Sequence, residues 1–414
     1  MTAAKVSYRA PIAYAGIGLL SLLGFGLLAP SGRHTTFALG TPKDLVTIAP
    51  LVVPAKSAAI ALSLVALALG TLAFGTARKR RRLGLWLPAT FGVAVLLAFL
   101  TWSAAGKASS MPLTGLLQGS LFLAVPLVFG SLAGVLCERS GIINIAIEGQ
   151  LLAGAFLAAV VASLSQNPYA GLIAAPVAGA LVGLLLVLFA VKYQVNQIIV
   201  GVVLNVLVVG VTSYLFSTVL TVNRATWNTP PKLPVIDVPG LSRIPVLGPV
   251  LFRQTVIVYV MFVVVALLQV MIFRSRWGLR MRAVGEHPKA ADTVGIRVNR
   301  TRLRNTVLGS AVAGLGGAFF TVAAGLAFGK EMTGGKGFIA LAAMILGRWT
   351  PKGALLAALL FGFADNLQVV LGIIGTPVPS QLMLMTPYLA TIFAVAGLVG
   401  RVRPPAAEGI PYVK

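Results

Sequence analysis

Long apolar runs separated by short polar connections set the pattern of this chain. An α-helix needs about 20 predominantly apolar residues to cross the hydrocarbon core of a bilayer. Runs of that size recur along the whole sequence, so we predict an all-α fold, a polytopic transmembrane helix bundle. The first run is long and lacks a convincing small-residue cleavage site, which favours a retained span over a signal peptide. The runs cover residues 11–29, 53–75, 84–105, 113–136, 142–164, 169–191, 196–220, 254–273, 305–327, 353–373 and 381–399.

Two places depart from this simple pattern. In the segment 140–149, Asn144 and Glu148 are four residues apart, which predicts that they share one helix face near the edge of an apolar run. Further along, the glycine-rich residues 334–337 precede an apolar stretch, 338–347, that is too short to span the membrane. Interrupted segments often mark a central pathway, because unwound backbone survives only where it lines a cavity or is covered by protein. Close packing through glycine is the alternative, and the sequence leaves both open.

The charge balance indicates how the chain is oriented. There are 33 Lys and Arg residues against nine Asp and Glu, a net charge of +24. In a soluble protein this excess would suggest a nucleic-acid partner. Here the basic residues lie mostly in short connections between apolar runs, which is the orientation signal of a membrane protein, so we predict no nucleic-acid partner. The five consecutive basic residues 78–82 predict a cytosolic connection, and counting the runs from there predicts that both termini are cytosolic.

The most basic connection is the segment 274–304, which lies between two long apolar runs. Within it, residues 287–295 predict a short helix of two turns, since a proline stands near its start and a glycine just past its end. The spacing of Ala290, Ala291 and Val294 predicts a shared face. A helix this short is unstable alone and needs a support. Two interpretations remain open: a contact with a separate cytosolic protein, or an ordinary positively charged loop.

Asp365 stands out among the acidic residues because it lies in the middle of an apolar run, beside Asn366. A carboxylate at that depth costs about 2.5 kcal/mol or more on insertion scales, so it should face the bundle interior and have a partner. One interpretation is a pathway or gating residue. The other is an inter-helix anchor, with Asn196, Gln197 or Asn205 as the partner.

The sequence lacks the usual constellations of an enzyme or a metal site. Cys137 is the single cysteine, and the two histidines both lie in predicted loops with no metal-ligand spacing between them. Residues 329–336 approach a phosphate-binding loop but are one residue out of register. We therefore predict no catalytic residue, no metal and no cofactor, and any ATP hydrolysis must come from a partner protein.

Three stretches together resemble the permease subunits of bacterial ATP-binding-cassette (ABC) importers, in the superfamily that serves simple sugars, branched-chain amino acids and nucleosides. They are residues 137–150, 278–291 and 337–347. The first and third are most similar to the nucleoside branch, and the triplet Pro387-Tyr388-Leu389 fits that branch too. The resemblance implies a permease core over residues 111–400, preceded by extra spans and linkers in residues 1–110 and followed by a cytosolic tail, 401–414.

The resemblance also implies roles for particular residues. The segment that matches the family's coupling helix, which docks in a cleft of the ATPase subunit, comprises Gly285, Glu286, His287, Pro288, Ala290, Ala291, Val294 and Gly295. The candidate positions for a polar pathway or for polar packing are Asn144, Glu148, Asn196, Asn205, Asp365 and Asn366.

The implied function is that of a permease subunit in an ABC importer of the bacterial plasma membrane, translocating nucleosides. The expected partners are an ABC ATPase subunit, a second permease subunit that is either identical or paralogous, an extracytoplasmic substrate-binding lipoprotein of the basic-membrane-protein class, a small-molecule solute and membrane lipid. Simple sugars or branched-chain amino acids remain alternative solutes. An ion-coupled secondary transporter that works through Asp365 is the alternative from a different class.

Overall fold

A computed structural model describes residues 8–46, 48–79, 84, 86–376, 378–379, 381–382, 385 and 403–413. The helices are α1 (Arg9–Ser21), α2 (Ala55–Arg78), α3 (Trp86–Ser103), α4 (Leu113–Glu138), α5 (Ile147–Ser165), α6 (Pro168–Val187), α7 (Gln197–Leu215), α8 (Arg224–Trp227), α9 (Val256–Arg274), α10 (Arg276–Glu286), α11 (Pro288–Thr293), α12 (Val298–Ala318), α13 (Lys336–Leu346) and α14 (Pro351–Ile374). The strands are β1 (His34–Ala38), β2 (Leu51–Pro54), β3 (Met111–Pro112), β4 (Val235–Asp237) and β5 (Arg253–Thr255). Four helices continue into π-helical segments: α1 into Leu22–Leu27, α6 into Leu188–Lys192, α7 into Phe216–Leu220 and α12 into Phe319–Ala323.

Ten helices of the described residues are long and apolar enough to cross a membrane, namely α1 to α7, α9, α12 and α14. The protein is therefore a multi-pass membrane protein, which confirms the predicted all-α bundle. The short helix α13 has 11 residues, or about 16 Å of length, and cannot cross the hydrocarbon core alone. Most of the predicted run 381–399, including the triplet 387–389, lies outside the described residues.

The chain divides into two compact units, and the first contains residues up to 116 together with 243–249 and 367–383. In this unit α1 and α2 pack through small residues: a Cβ added at Gly70 would lie 3.1 Å from the backbone nitrogen of Ala15. The hydroxyl groups of Ser21 and Ser63 hydrogen-bond across the same pair of helices at 2.9 Å. Small residues and hydroxyl bonds of this kind let membrane helices approach closely. A small sheet in the order β2-β1-β3 completes the unit.

The second unit contains residues 117–242, 250–366 and 384–414. Helix α4 lies at its centre, with most of its residues buried, and α5, α6 and α12 pack tightly around one another. Glycines make this packing possible: a Cβ at Gly317 of α12 would lie 2.0 Å from the carbonyl oxygen of Leu151 in α5. A hairpin of β4 and β5 precedes α9. This unit holds every candidate site residue named above.

Two predicted helix starts were wrong. Helix α5 begins at Ile147 rather than at residue 142, so Asn144 lies in a non-helical turn and does not share a helix face with Glu148. Helix α12 begins at Val298, seven residues before the apolar run, because its first two turns are arginine-rich and carry no apolar pattern. The same basic composition concealed helix α10, which the sequence did not predict.

Candidate functional site

The carboxylate of Glu148 holds the N-terminus of the short helix α13. Its Oε1 accepts hydrogen bonds from the hydroxyl of Thr333 at 2.6 Å and from the backbone N–H of Gly335 at 2.9 Å. Its Oε2 accepts the N–H of Gly337 at 2.6 Å. The first N–H groups of any helix lack partners within the helix and form the positive end of its dipole, which favours a negative charge there. Glu148 also lies in the first turn of α5, so its negative charge lies at the N-termini of two helices.

Glycines at the start of α13 and just before it allow this approach. A Cβ on Gly337 would lie 2.5 Å from the Cα of Glu148, so no larger residue fits without a backbone shift. Gly334 and Gly335 both have positive φ angles, +54° and +79°, which L side chains rarely adopt. The sequence correctly predicted a helix too short to span, and it is preceded here by a non-helical turn.

Asp365 forms a salt bridge with a lysine of the same short helix, α13. The ammonium group of Lys336, the first residue of α13, donates to Oδ2 of Asp365 in α14. Asp365 is 8% exposed and faces the protein interior, as predicted. The suggested partners Asn196, Gln197 and Asn205 were wrong, because those side chains are engaged elsewhere. Two carboxylates therefore fasten the start of α13, one through its backbone N–H groups and one through its lysine.

The buried amides near α5 stabilise the turn that precedes it. Asn144 and Gln150 exchange two side-chain hydrogen bonds at 3.0 Å, and the Asn144 amide also donates to the sulfur of Cys137. Asn205 of α7 accepts the N–H of Gly149 at 2.8 Å and donates to the carbonyl of Ile145 at 2.9 Å. These contacts are inter-helix and local packing contacts.

The other two candidate amides lie apart from this turn. Asn196 is exposed and caps α7, accepting the N–H groups of Ile198 and Ile199. Such capping is the usual use of asparagine at a helix start. Asn366 is buried against α4, and a Cβ on Gly119 would lie 2.5 Å from its Nδ2.

The segment that matches the coupling helix forms two successive helices. Helix α10 approaches the end of α4 so closely that a Cβ on Gly285 would lie 2.3 Å from the carbonyl oxygen of Arg139. His287, which is exposed, then separates α10 from α11. Pro288 is the first residue of α11, and Gly295 follows its end with a φ of +81°. The predicted proline start and glycine end are both confirmed.

The three apolar residues of this segment do not share one face, so that prediction was wrong. Ala291 is 3% exposed and packs with Tyr412, Val284 and Val298 of the same chain. Ala290 is exposed, and Val294 is 75% exposed. Helix α11 therefore rests on its own chain through Ala291, while Ala290 and the C-cap residue Val294 face outward.

A C-terminal strap, residues 403–413, lies across the α10–α11 segment, and no sequence pattern predicted it. Tyr412 packs against Ala291 of α11. The hydrogen bonds are Ala406 N–H to Glu286 Oε2 at 3.2 Å, Ala407 N–H to the Gly285 carbonyl at 2.9 Å, Gly409 N–H to the Gly141 carbonyl at 3.2 Å and Arg302 Nη1 to the Ile410 carbonyl at 2.9 Å. The strap thus supports α11 from within the chain.

We expect the strap to bind the α10–α11 segment more weakly as pH rises. Burial raises the pKa of the Glu408 carboxyl above its ordinary value of 4.5, beside the carboxyl of Glu138. For a raised carboxyl pKa, the stabilisation is fully present below the unfolded value and is lost as pH rises through the folded value. We expect hydrogen-exchange protection of residues 285–296, corrected for intrinsic rates, to fall as pH rises from 4.5 through neutrality.

Glu408→Gln should remove this pH dependence and keep the protection high at neutral pH. Glu331→Gln, at an exposed acid, serves as the control and should behave like the unmodified chain. An unchanged pH profile in Glu408→Gln would show that Glu408 does not govern the strap.

Several curated proteins are similar to this chain over nearly their whole length. It is 37% identical over 309 residues to the guanosine ABC transporter permease protein NupQ of Bacillus subtilis, covering 72% of this chain and 96% of that protein. It is 37% identical over 304 residues to the nucleoside ABC transporter permease protein NupC of Lactococcus lactis, covering 71% and 95%. A putative glucose ABC transporter permease protein of Haloferax volcanii, TsgC13, is 29% identical, covering 69% and 92%. No solved structure matches the chain.

The family described as branched-chain amino acid transport system / permease component matches residues 116–399. That range is well over half of the chain and includes Glu148, α11, α13 and Asp365. The chain belongs to this family of ABC transporter permease components.

Proposed function

We propose that this chain is a permease subunit of an ABC importer that translocates nucleosides. The observation that carries the solute class is the 37% identity to a guanosine permease and to a nucleoside permease, each matched over 95% or more of its length. The buried polar side chains of the second unit are mainly hydroxyls and amides with few charges, which suits a neutral polar solute. A binding lipoprotein outside the membrane delivers the nucleoside.

In this proposal α11 transmits the work of a separate ATPase subunit. Ala290 and Val294 form the exposed apolar contact, and docking would bury them in a cleft of the ATPase. Movement of α11 reaches the spans through α10 and α12, which flank it directly in sequence. Nucleotide binding to the ATPase then biases a two-state rearrangement of the helices. The proposed orientation in the membrane has α11, the strap and both termini on the cytosolic side.

The short helix α13 is the proposed lining of the translocation pathway. Its unwound approach at residues 334–335 is of the kind found where a membrane protein binds or passes a solute. Glu148, Lys336 and Asp365 hold that element in place rather than contacting the solute. Residues 1–110 are proposed as an additional set of spans that precede the permease core, residues 111–400, in the chain.

ATP-dependent uptake by the reconstituted complex tests the proposal. Proteoliposomes that contain this chain, its second permease subunit and the ATPase should accumulate labelled guanosine presented with the binding lipoprotein. Unlabelled nucleosides should compete, whereas glucose and leucine should not. Competition by glucose would favour a sugar permease, and uptake by this chain alone with an ion gradient would contradict the ABC mechanism.

Val294→Asp in the same assay tests the coupling role. We expect loss of ATPase association and of ATP-dependent uptake, because a charge replaces an apolar group in a buried contact. Val222→Asp is the matched control, since Val222 is 71% exposed in the loop after α7 and lies outside α11. Normal ATPase association in Val294→Asp would contradict the assignment of α11.

A further inference from the structure

A cavity of about 980 Å³ opens between α10, the end of α11 and the first turns of α12. It shares only Val294 and Gly295 with the α10–α11 segment described above, and the rest of its lining has no role there. The lining residues that matter here are Trp277, Arg280, Arg297, Arg300, Arg304 and Asn305.

The lining is strongly cationic. Arg300 and Arg304 are four residues apart in the first turns of α12, which places them on one helix face, and Arg297 at the N-cap of α12 lines the same cavity. Arg280 adds a fourth guanidinium from α10. Among the described residues, no acidic side chain lines the cavity. Guanidinium groups gathered in this way fit phosphate oxygens, which they bind with paired N–H donors.

The cavity also contains buried polar atoms that lack partners. Asn305 is 0% exposed, and neither its Oδ1 nor its Nδ2 has a hydrogen-bond partner within the described chain. The indole N–H of Trp277 is likewise buried without an acceptor. An unmade hydrogen bond of a buried group is costly, so a bound group that supplied the missing partners would be stabilised here. Both side chains line the cavity, where a bound group could accept from the two N–H donors.

The position of the cavity relative to the bilayer indicates which phosphate-bearing molecule it fits. The span that begins at Val298 has 26 residues and is about 39 Å long, more than the roughly 30 Å of the hydrocarbon core. Its arginine-rich turns therefore lie in the headgroup region, and its apolar run begins at Asn305. Trp277 suits the same depth, because tryptophan is enriched at the membrane–water interface.

We propose that this cavity binds the phosphate of an anionic phospholipid headgroup. The four arginines hold the phosphate, and the Trp277 and Asn305 N–H groups donate to its oxygens. The free Oδ1 of Asn305 fits a headgroup that carries hydroxyl donors, such as that of phosphatidylglycerol. Val294 and Gly295 form part of the rim, so a bound lipid lies beside α11.

Native mass spectrometry of the purified full-length chain, with the subunits that copurify, tests this site. Phosphatidylglycerol, phosphatidylcholine and soluble glycerol phosphate are added separately to the detergent-solubilised protein. The test variant is Arg300→Gln/Arg304→Gln. The control is Arg274→Gln/Arg276→Gln, which removes two exposed arginines from the neighbouring helices but leaves the lining intact.

We expect phosphatidylglycerol to bind the test variant about thirtyfold more weakly than the control, because each basic residue near an anionic headgroup contributes roughly a factor of five. Asn305→Leu should also weaken binding while preserving every charge.

Equal affinities in test and control variants would overturn the proposal. Tighter binding of glycerol phosphate than of the lipid would replace the lipid by a soluble phosphate ester. Normal lipid binding with lost ATPase association in the test variant would make the cavity a protein-docking surface and overturn the lipid site.

Discussion

Replacing Glu148 by glutamine is expected to release the N-terminus of α13 and to abolish most transport. Glutamine keeps one acceptor oxygen, but its NH₂ group would face the N–H donor of Gly337 or the donors at Thr333 and Gly335. Hydrogen bonds to a charged group contribute about 1.5–3 kcal/mol each, and a buried donor left without an acceptor costs a similar amount. We therefore expect the free energy of unfolding to fall by about 3 kcal/mol or more.

Thermal unfolding in detergent and hydrogen exchange at residues 333–337 measure this effect. The matched control is Glu331→Gln, which changes an exposed glutamate in the same loop. Glu148→Asp should be intermediate, because it keeps the charge but shortens the reach to three fixed donors. If Glu148→Gln unfolded and exchanged like the control, the carboxylate would not be what holds α13.

The sequence predicted the bundle well because long apolar runs leave few alternatives in a membrane. Every backbone N–H and C=O in the hydrocarbon core needs a partner within the chain, so an apolar run of that length forms a helix. The short element at 338–347 was also visible, since its length and its preceding glycines excluded a spanning helix. Asp365 was recognised as interior and partnered from the cost of its charge alone.

The sequence could not predict which groups meet across distant parts of the chain. Asp365 was assigned amide partners, whereas Lys336 neutralises it. A signal for this pairing existed, because a lysine at the start of an apolar membrane helix also needs a counter-charge. The strap had no such signal, since its contacts are mainly backbone hydrogen bonds, which any residue except proline can make.

Ala291 shows a second limit of sequence patterns. Three- and four-residue spacing groups Ala290, Ala291 and Val294, but adjacent positions of a helix lie about 100° apart. The chain uses that difference, since Ala291 packs inward on Tyr412 and its neighbour Ala290 stays exposed. Two faces of one short helix therefore carry two roles, support by the strap and the proposed docking.

Removing either partner of the Lys336–Asp365 pair is expected to destabilise the protein more than removing both. Asp365→Asn leaves an ammonium group without its counter-charge, and Lys336→Met leaves a buried carboxylate. Breaking a buried pair costs about 3–5 kcal/mol, and we expect the lower end because the Lys336 side chain is 25% exposed. The double variant Lys336→Met/Asp365→Leu should recover most of that stability, since replacing both charges by apolar groups is often neutral.

Transport by the double variant decides between the two interpretations of Asp365. The pair joins α13 to α14, and Glu148 holds the same helix end independently, so we expect an anchoring role and near-normal guanosine uptake by the double variant. A double variant that unfolds like the unmodified protein yet fails to transport would instead assign Asp365 to the pathway. The same measurement on Asn366→Leu separates the two neighbours, because Asn366 packs against Gly119 rather than against α13. The double variant thus separates two properties. Unfolding measures the stability of α13, which depends on whether the two charges are matched, and guanosine uptake measures the passage of the solute.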